Sequence, residues 1–178
     1  SEAVKFSAND PRLAAAVESG DAAQQQTLCE SFYSDGASNY GLKVADDFPF
    51  DTWYILDRSG ALTAQAGKVD AAHIIGRDYS WRDYYKGAWK LAKKGLHSTY
   101  VSHVIKSELD SNHKFAISTP IYGHGGALIG VLVAAVATSA KLGSLAFDDR
   151  ENIRALAGPR DIEHPKQSAP PSPYMVLL

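Results

Sequence analysis

The 178-residue chain has a single cysteine, Cys29, which excludes an intrachain disulfide. Its net charge is only −2 and it has no long basic run, so nothing electrostatic argues for a nucleic-acid partner. Long apolar runs are missing too. The longest, Ala127 to Ala137, falls short of the about 20 residues that a membrane-spanning helix needs and reads as a buried strand. Any membrane anchor is therefore expected outside this sequence. The start, Ser1-Glu2-Ala3-Val4-Lys5, has neither an initiator Met nor an apolar leader core, and suggests a piece of a longer chain. Catalytic motifs are absent as well. There is no Gly-x-Ser-x-Gly elbow, Gly67-Lys68 is followed by Val69 where a phosphate loop needs Ser or Thr, and Gly123-His124-Gly125-Gly126 lacks the later glycine of a dinucleotide fingerprint. The six histidines have no paired ligand spacing. His97 and His103 share a strand face but lie about 20 Å apart at ~3.3 Å per residue, too far for one metal. His103 and His124 could meet only through the fold. The expectation is no enzyme, no metal and no cofactor.

What is there is the composition of a globular domain, 45% apolar and 21% charged. Asn9-Asp10-Pro11 supplies a cap and an N1 proline, and apolar residues from Leu13 to Tyr33 follow at helical spacing, which predicts a long or broken helix over 10–34. Phe50 to Leu56 and Ala61 to Ala66 read as strands joined by the type I turn Asp57-Arg58-Ser59-Gly60. A short helical stretch near Ala71 precedes a second helix, with Ser80 and Asp83 as a capping box and Gly95 as its stop. Three strands follow, His97 to Ile105, Lys114 to Tyr122 and Leu128 to Ala137, linked by polar and glycine turns short enough to demand antiparallel pairing. The fold class is α+β: a PAS-like, five-stranded, mostly antiparallel sheet flanked by helices, with a long N-terminal helix. Residues 1–45 form the N-terminal helix and connection, and 46–147 the sensor-sized module. In 148–178 a short helix, a proline-rich linker over Pro159 to Pro173 and a strand starting at Tyr174 suggest the beginning of a second module.

The chemistry concentrates in Gly76-Arg77-Asp78-Tyr79-Ser80-Trp81-Arg82-Asp83-Tyr84-Tyr85. A cation in the first turn of a helix opposes the helix dipole. Arg82 is better placed there if it faces a carboxylate, with Trp81, Tyr84 and Tyr85 around it. The alternative is an ordinary aromatic cluster in which Arg82 pairs with Asp78 or Asp83. On the following strand Tyr100 and Ser102 share a face and could line a pocket between sheet and helix, or Tyr100 is a core residue.

Three stretches together resemble the Cache superfamily of extracytoplasmic sensors. They are Trp53-Tyr54-Ile55-Leu56-Asp57-Arg58-Ser59-Gly60, the segment from Gly76 to Tyr85, and Ala116-Ile117-Ser118-Thr119-Pro120-Ile121-Tyr122 with Gly126 and Ile129-Gly130-Val131 beyond it. The resemblance covers roughly residues 45 to 142 and looks like the membrane-distal module of a double-Cache receptor. It implies the periplasmic or extracellular ligand-binding sensor of an inner-membrane bacterial signalling protein, such as a histidine kinase or chemoreceptor. It also implies a small-molecule ligand and allows a homodimer in the full receptor. In amino-acid-binding members an Arg and following aromatics hold the ligand carboxylate, while a strand Tyr and a turn Asp hold its amine. Arg82, Tyr84, Tyr85 and Tyr100 match, with Trp81, Ser102, Ser118 and Tyr122 nearby. Gly123 stands where the Asp is expected, and Arg77 where an aromatic is usual, so a carboxylate ligand without an ammonium is expected. Two rivals stand beside this reading: a structural or dimerisation module with no ligand, and a cytoplasmic PAS-type domain holding haem or flavin.

Overall fold

The computed structural model describes residues 2–39, 50–68 and 72–138. All of them lie within the unit Ser1–Phe147. The expected short helix at 148–156, the proline-rich linker and the strand from Tyr174 lie outside the described residues.

Three helices open the chain: α1 (Glu2–Ala8), α2 (Pro11–Ser19) and α3 (Ala22–Asn39). Of the long or broken helix expected over 10–34, the broken form is found, as two helices, with a further helix before them. The break has a local cause. Gly20 takes the left-handed conformation, φ +70°, and closes α2 through bonds from its N–H to the carbonyls of Ala16 and Val17. Asp21 then restarts the chain by accepting the Gln24 N–H at 3.0 Å. At the other end of α2, the Asp10 carboxylate accepts from the Arg12 N–H at 2.8 Å, with Pro11 at the first helical position.

The sheet runs β2-β1-β6-β5-β3, antiparallel throughout, from β1 (Phe50–Asp57), β2 (Leu62–Gly67), β3 (Tyr100–Val101), β5 (His113–Tyr122) and β6 (Leu128–Ala137). A two-residue β4 (Ile105–Lys106) also pairs with β5. Strands β1, β2, β5 and β6 lie where the alternation puts them. In the β1–β2 turn, Asp57 Oδ1 accepts from the N–H groups of Ser59 and Ala61 at 2.8 and 2.9 Å, and Gly60 sits at φ +92°.

Two expectations need correction. The continuous strand over 97–105 is broken at 102–104. There the backbone leaves the ladder: Ser102 Oγ accepts from the Ala116 N–H at 2.8 Å, and the His103 N–H donates to Asp83 Oδ2 at 2.7 Å. The second helix, α4 (Asp83–Lys93), starts two residues later than the Ser80 capping box implies. Asp78 Oδ1 takes the Ser80 N–H at 2.7 Å, which makes this stretch a turn, and Arg82 becomes the N-cap without capping through its side chain.

Strand alternation gives the sheet two different faces. Trp53, Ile55, Phe115, Ile117, Ile121, Leu132 and Val136 point to one, where α1–α3 pack on them. Tyr54, Leu56, Lys114, Ala116, Val131 and Val133 point to the other, which α4 and Tyr79 cover.

Candidate ligand-binding site

On the α4 face, a cavity of about 30 Å³ lies between the sheet, the start of α4 and the β4–β5 turn. That is room for about two waters. Its apolar wall comes from Leu56, Leu62, Ile74, Ile105, Leu109 and Ala135. Tyr54, Tyr79 and Tyr84 add aromatic surface, and Arg82, Glu108 and Lys114 bring charge. Enclosed apolar walls with a few convergent polar groups are the ordinary makeup of a small-molecule site.

Arg82 is placed by the turn that precedes α4. Its side chain is 12% exposed. Its guanidinium carbon lies 4.1 Å from the Trp81 ring centroid, a cation–π contact. Nη2 donates to Glu108 Oε1 at 2.8 Å. Nε is buried and has no hydrogen-bond partner among the described residues. The expected alternative partners, Asp78 and Asp83, are engaged elsewhere: Asp78 with Ser80, and Asp83 with His103.

Lys114 is 1% exposed and is held by Asp110 Oδ2 at 2.8 Å and Asp51 Oδ2 at 3.3 Å. A buried ammonium needs such partners. Burial raises the Asp110 pKa, but hydrogen bonds from Lys114, Ser107 and Asn112 outweigh it and bring the carboxyl down to about 2. Tyr79 is pushed up to about 12, chiefly by burial and then by the negative charge of Glu108. Burial also raises Tyr54 and Tyr84. All three phenols are neutral at pH 7, and Tyr79 donates to Glu108 Oε2 at 3.3 Å.

Of the residues expected from the sequence, Arg82 and Tyr84 line the cavity and Trp81 supports Arg82 from the outside, 55% exposed. The structure does not bring the others to it. Tyr85 donates its hydroxyl to the Arg58 carbonyl at 2.6 Å and packs on Trp89. The Tyr100 ring lies against Gly87. Ser102 donates to the His103 carbonyl and Ser118 to the Tyr84 carbonyl. Tyr122 reaches the Leu96 carbonyl at 3.3 Å and stacks near His97. Gly123 faces Glu18 of α2, which accepts from the His124 N–H at 2.9 Å and contacts His124 Nδ1 at 2.6 Å. His103 pairs with Asp83 instead, so the two histidines do not meet. No cluster of three His, Cys, Asp or Glu suited to a metal occurs among the described residues. No helix among them is long and apolar enough to cross a membrane.

Sequence reasoning missed Tyr54, Glu108 and Lys114. Lys114 left one trace, a charge at an inward phase of a strongly apolar strand. Glu108 left none, because a glutamate in a polar turn is unremarkable.

No family model and no curated protein matches the sequence. Solved structures do match the fold. The ligand-binding domain of the Pseudomonas fluorescens chemoreceptor CtaA, in complex with L-isoleucine, aligns at 18% identity and TM-score 0.53, over 80% of this chain and 49% of that one. The sensor domain of the V. cholerae histidine kinase DctB aligns at 18% and 0.54, over 79% and 48%. The ligand-binding domain of the Campylobacter jejuni chemoreceptor Tlp3, in complex with 4-methylisoleucine, aligns at 17% and 0.53, over 76% and 47%. The chain thus has the α+β fold of these sensor domains and spans about half the length of the structures it matches.

Proposed function

We infer that this chain is the ligand-binding module of a transmembrane signalling receptor, facing the periplasm or the outside of the cell, and that it binds a small organic carboxylate without catalysing a reaction. The observation that carries the reading is Arg82: a guanidinium set at the edge of an apolar cavity, stacked on Trp81, with its Nε lacking a partner. Its fork offers two parallel N–H groups to a carboxylate, and the apolar wall would meet a small aliphatic body once the cavity, now about 30 Å³, widens. The neighbours support the setting, since two are chemoreceptor domains and one belongs to a histidine kinase. Two of them hold amino acids. Here the turn residue is Gly123, opposite Glu18 and away from the cavity, and this favours a ligand without an ammonium. In a complete receptor, residues 148–178 would lead into a second, membrane-proximal module.

The test is a thermal-shift screen with small carboxylates, followed by calorimetry. A ligand at a hundredfold excess over its Kd raises stability by about 2.7 kcal/mol. Arg82→Ala should abolish the shift while the protein stays folded. A shift that survives in the folded variant refutes the site.

A further inference from the structure

The carboxylate of Glu108 already stands where a ligand carboxylate would be held. Three donors converge on it: Arg82 Nη2 at 2.8 Å, the Tyr79 hydroxyl at 3.3 Å and Arg77 Nη1 at 3.4 Å. The match is incomplete, however. Arg82 engages Glu108 through Nη2 alone, and its buried Nε is left unpaired among the described residues. A carboxylate meeting the fork squarely would take Nε and Nη2 together and satisfy both. A buried donor without an acceptor is costly, so such an incomer has an advantage over Glu108 at this position.

The segment that carries Glu108 is able to release it. Glu108 opens the Glu108–Asp110 turn. The strand before it, β4, has two residues and pairs only with His113 and Lys114. The Glu108 side chain is 35% exposed, so it can swing into water without stranding a charge in the interior. Its neighbour Asp110 remains tied to Lys114, and the Ser107 N–H holds the Asn112 carbonyl at 2.9 Å, so the base of the turn stays while the Glu108 side chain moves. The cavity behind Arg82 is small, about 30 Å³, and withdrawing Glu108 both frees the guanidinium and widens the mouth.

We propose that Glu108 is a tethered competitor for Arg82: ligand binding is an exchange in which an aliphatic monocarboxylate takes the guanidinium and the Glu108 side chain swings out into water. The proposal rests on the reading of Arg82 given above and adds the residue that sets the site's affinity. When the competent form is a fraction of the whole, the apparent Kd is the intrinsic one divided by that fraction. Removing the competitor therefore tightens binding.

The experiment is calorimetry with sodium propionate and sodium isovalerate on the wild type, Glu108→Gln, Glu108→Ala and the double variant Arg82→Ala/Glu108→Gln. The Glu108 variants should bind at least one of the two acids about tenfold more tightly than the wild type, as expected if about nine-tenths of the molecules are self-paired. The double variant should bind neither. Hydrogen exchange without any added acid should be several-fold faster over 107–112 in both single variants. Unchanged or weaker binding by the folded Glu108 variants overturns the proposal; weaker binding would make Glu108 an acceptor for a ligand's cationic group. Unchanged exchange in the turn also overturns it, because Glu108 would then not be holding the turn. If the wild type binds through Arg82 and the Glu108 variants gain nothing, the competitor falls and the carboxylate site stands. If neither acid binds to any variant, the competitor proposal falls, and the thermal-shift screen decides the carboxylate site by itself.

Discussion

The same three strands serve two unlike surfaces. Towards α1–α3 they present Trp53, Ile55, Ile117, Leu132 and Val136, each 1% exposed or less, in a contact made of hydrocarbon and ring faces. Towards α4 they present Tyr54, Lys114 and Ala135, and the space they leave is shared with Arg82 and Glu108. The face towards α1–α3 carries most of the large buried hydrocarbon, although a groove of about 410 Å³ opens there beside Phe6, Phe32 and Trp53. The other keeps charges that an apolar filling would not need, and a buried ion pair is weak evidence for stability. The difference teaches where a charged ligand group would find a partner: on the side of the sheet where a largely buried guanidinium and a buried ammonium meet apolar walls.

Substitutions can break this contrast, in descending order of effect. Leu132→Ala on the packed face should cost about 3 kcal/mol in urea unfolding, the usual range for a buried leucine, with carboxylate affinity unchanged in the folded fraction. Lys114→Met on the open face should cost about 2 kcal/mol, because Asp51 and Asp110 would then face each other without their cation. Adding Asp51→Asn and Asp110→Asn should recover most of that loss. Failure of the triple variant to recover would mean that Lys114 acts through packing of its stem rather than through charge.

The same cluster gives the acid limb of stability a defined sign. Asp110 titrates at about 2 in the fold against an ordinary 3.8. Its contribution is complete above pH 4 and is lost as the pH falls through that interval towards 2. Stability measured by urea from pH 5 to 2 should fall more steeply in the wild type than in Lys114→Met, which loses the largest cause of the depression and keeps the bonds from Ser107 and Asn112. The smallest effect belongs to the Glu18–His124 pair at the far end of the sheet. Both side chains are well exposed, and Glu18→Gln should change stability by less than about 0.5 kcal/mol.

The strands were legible because each carries its own punctuation: Asp57 and Gly60 bound the first hairpin, and Gly123 to Gly126 the last. The helix start at Asp83 was not, because Ser80 and Asp83 satisfy the capping pattern while Asp78 outcompetes them for the Ser80 N–H. The kink at 102–104 was hidden for a similar reason. Its bonds run to Asp83 and Ala116, 20 and 14 residues away, and no local window contains them. At the site, Arg82 stood out as a cation at a helix start. Its partner Glu108 lies 26 residues on, in a turn whose polarity is ordinary, and only the fold brings the two together.

The close approach of α4 to β3 has a mechanical consequence. A Cβ on Gly87 would fall 2.2 Å from the Tyr100 ring, so the helix rests on that strand with no spacer between them. Ser118 fastens the Tyr84 carbonyl from the sheet, and Asp83 holds His103. Helix, strand and sheet therefore act as a fixed jaw that carries Arg82. If Glu108 yields to a ligand, the movement is confined to the opposite side, the turn between Ser107 and Asn112, whose base the Ser107 N–H and the Asn112 carbonyl hold at 2.9 Å.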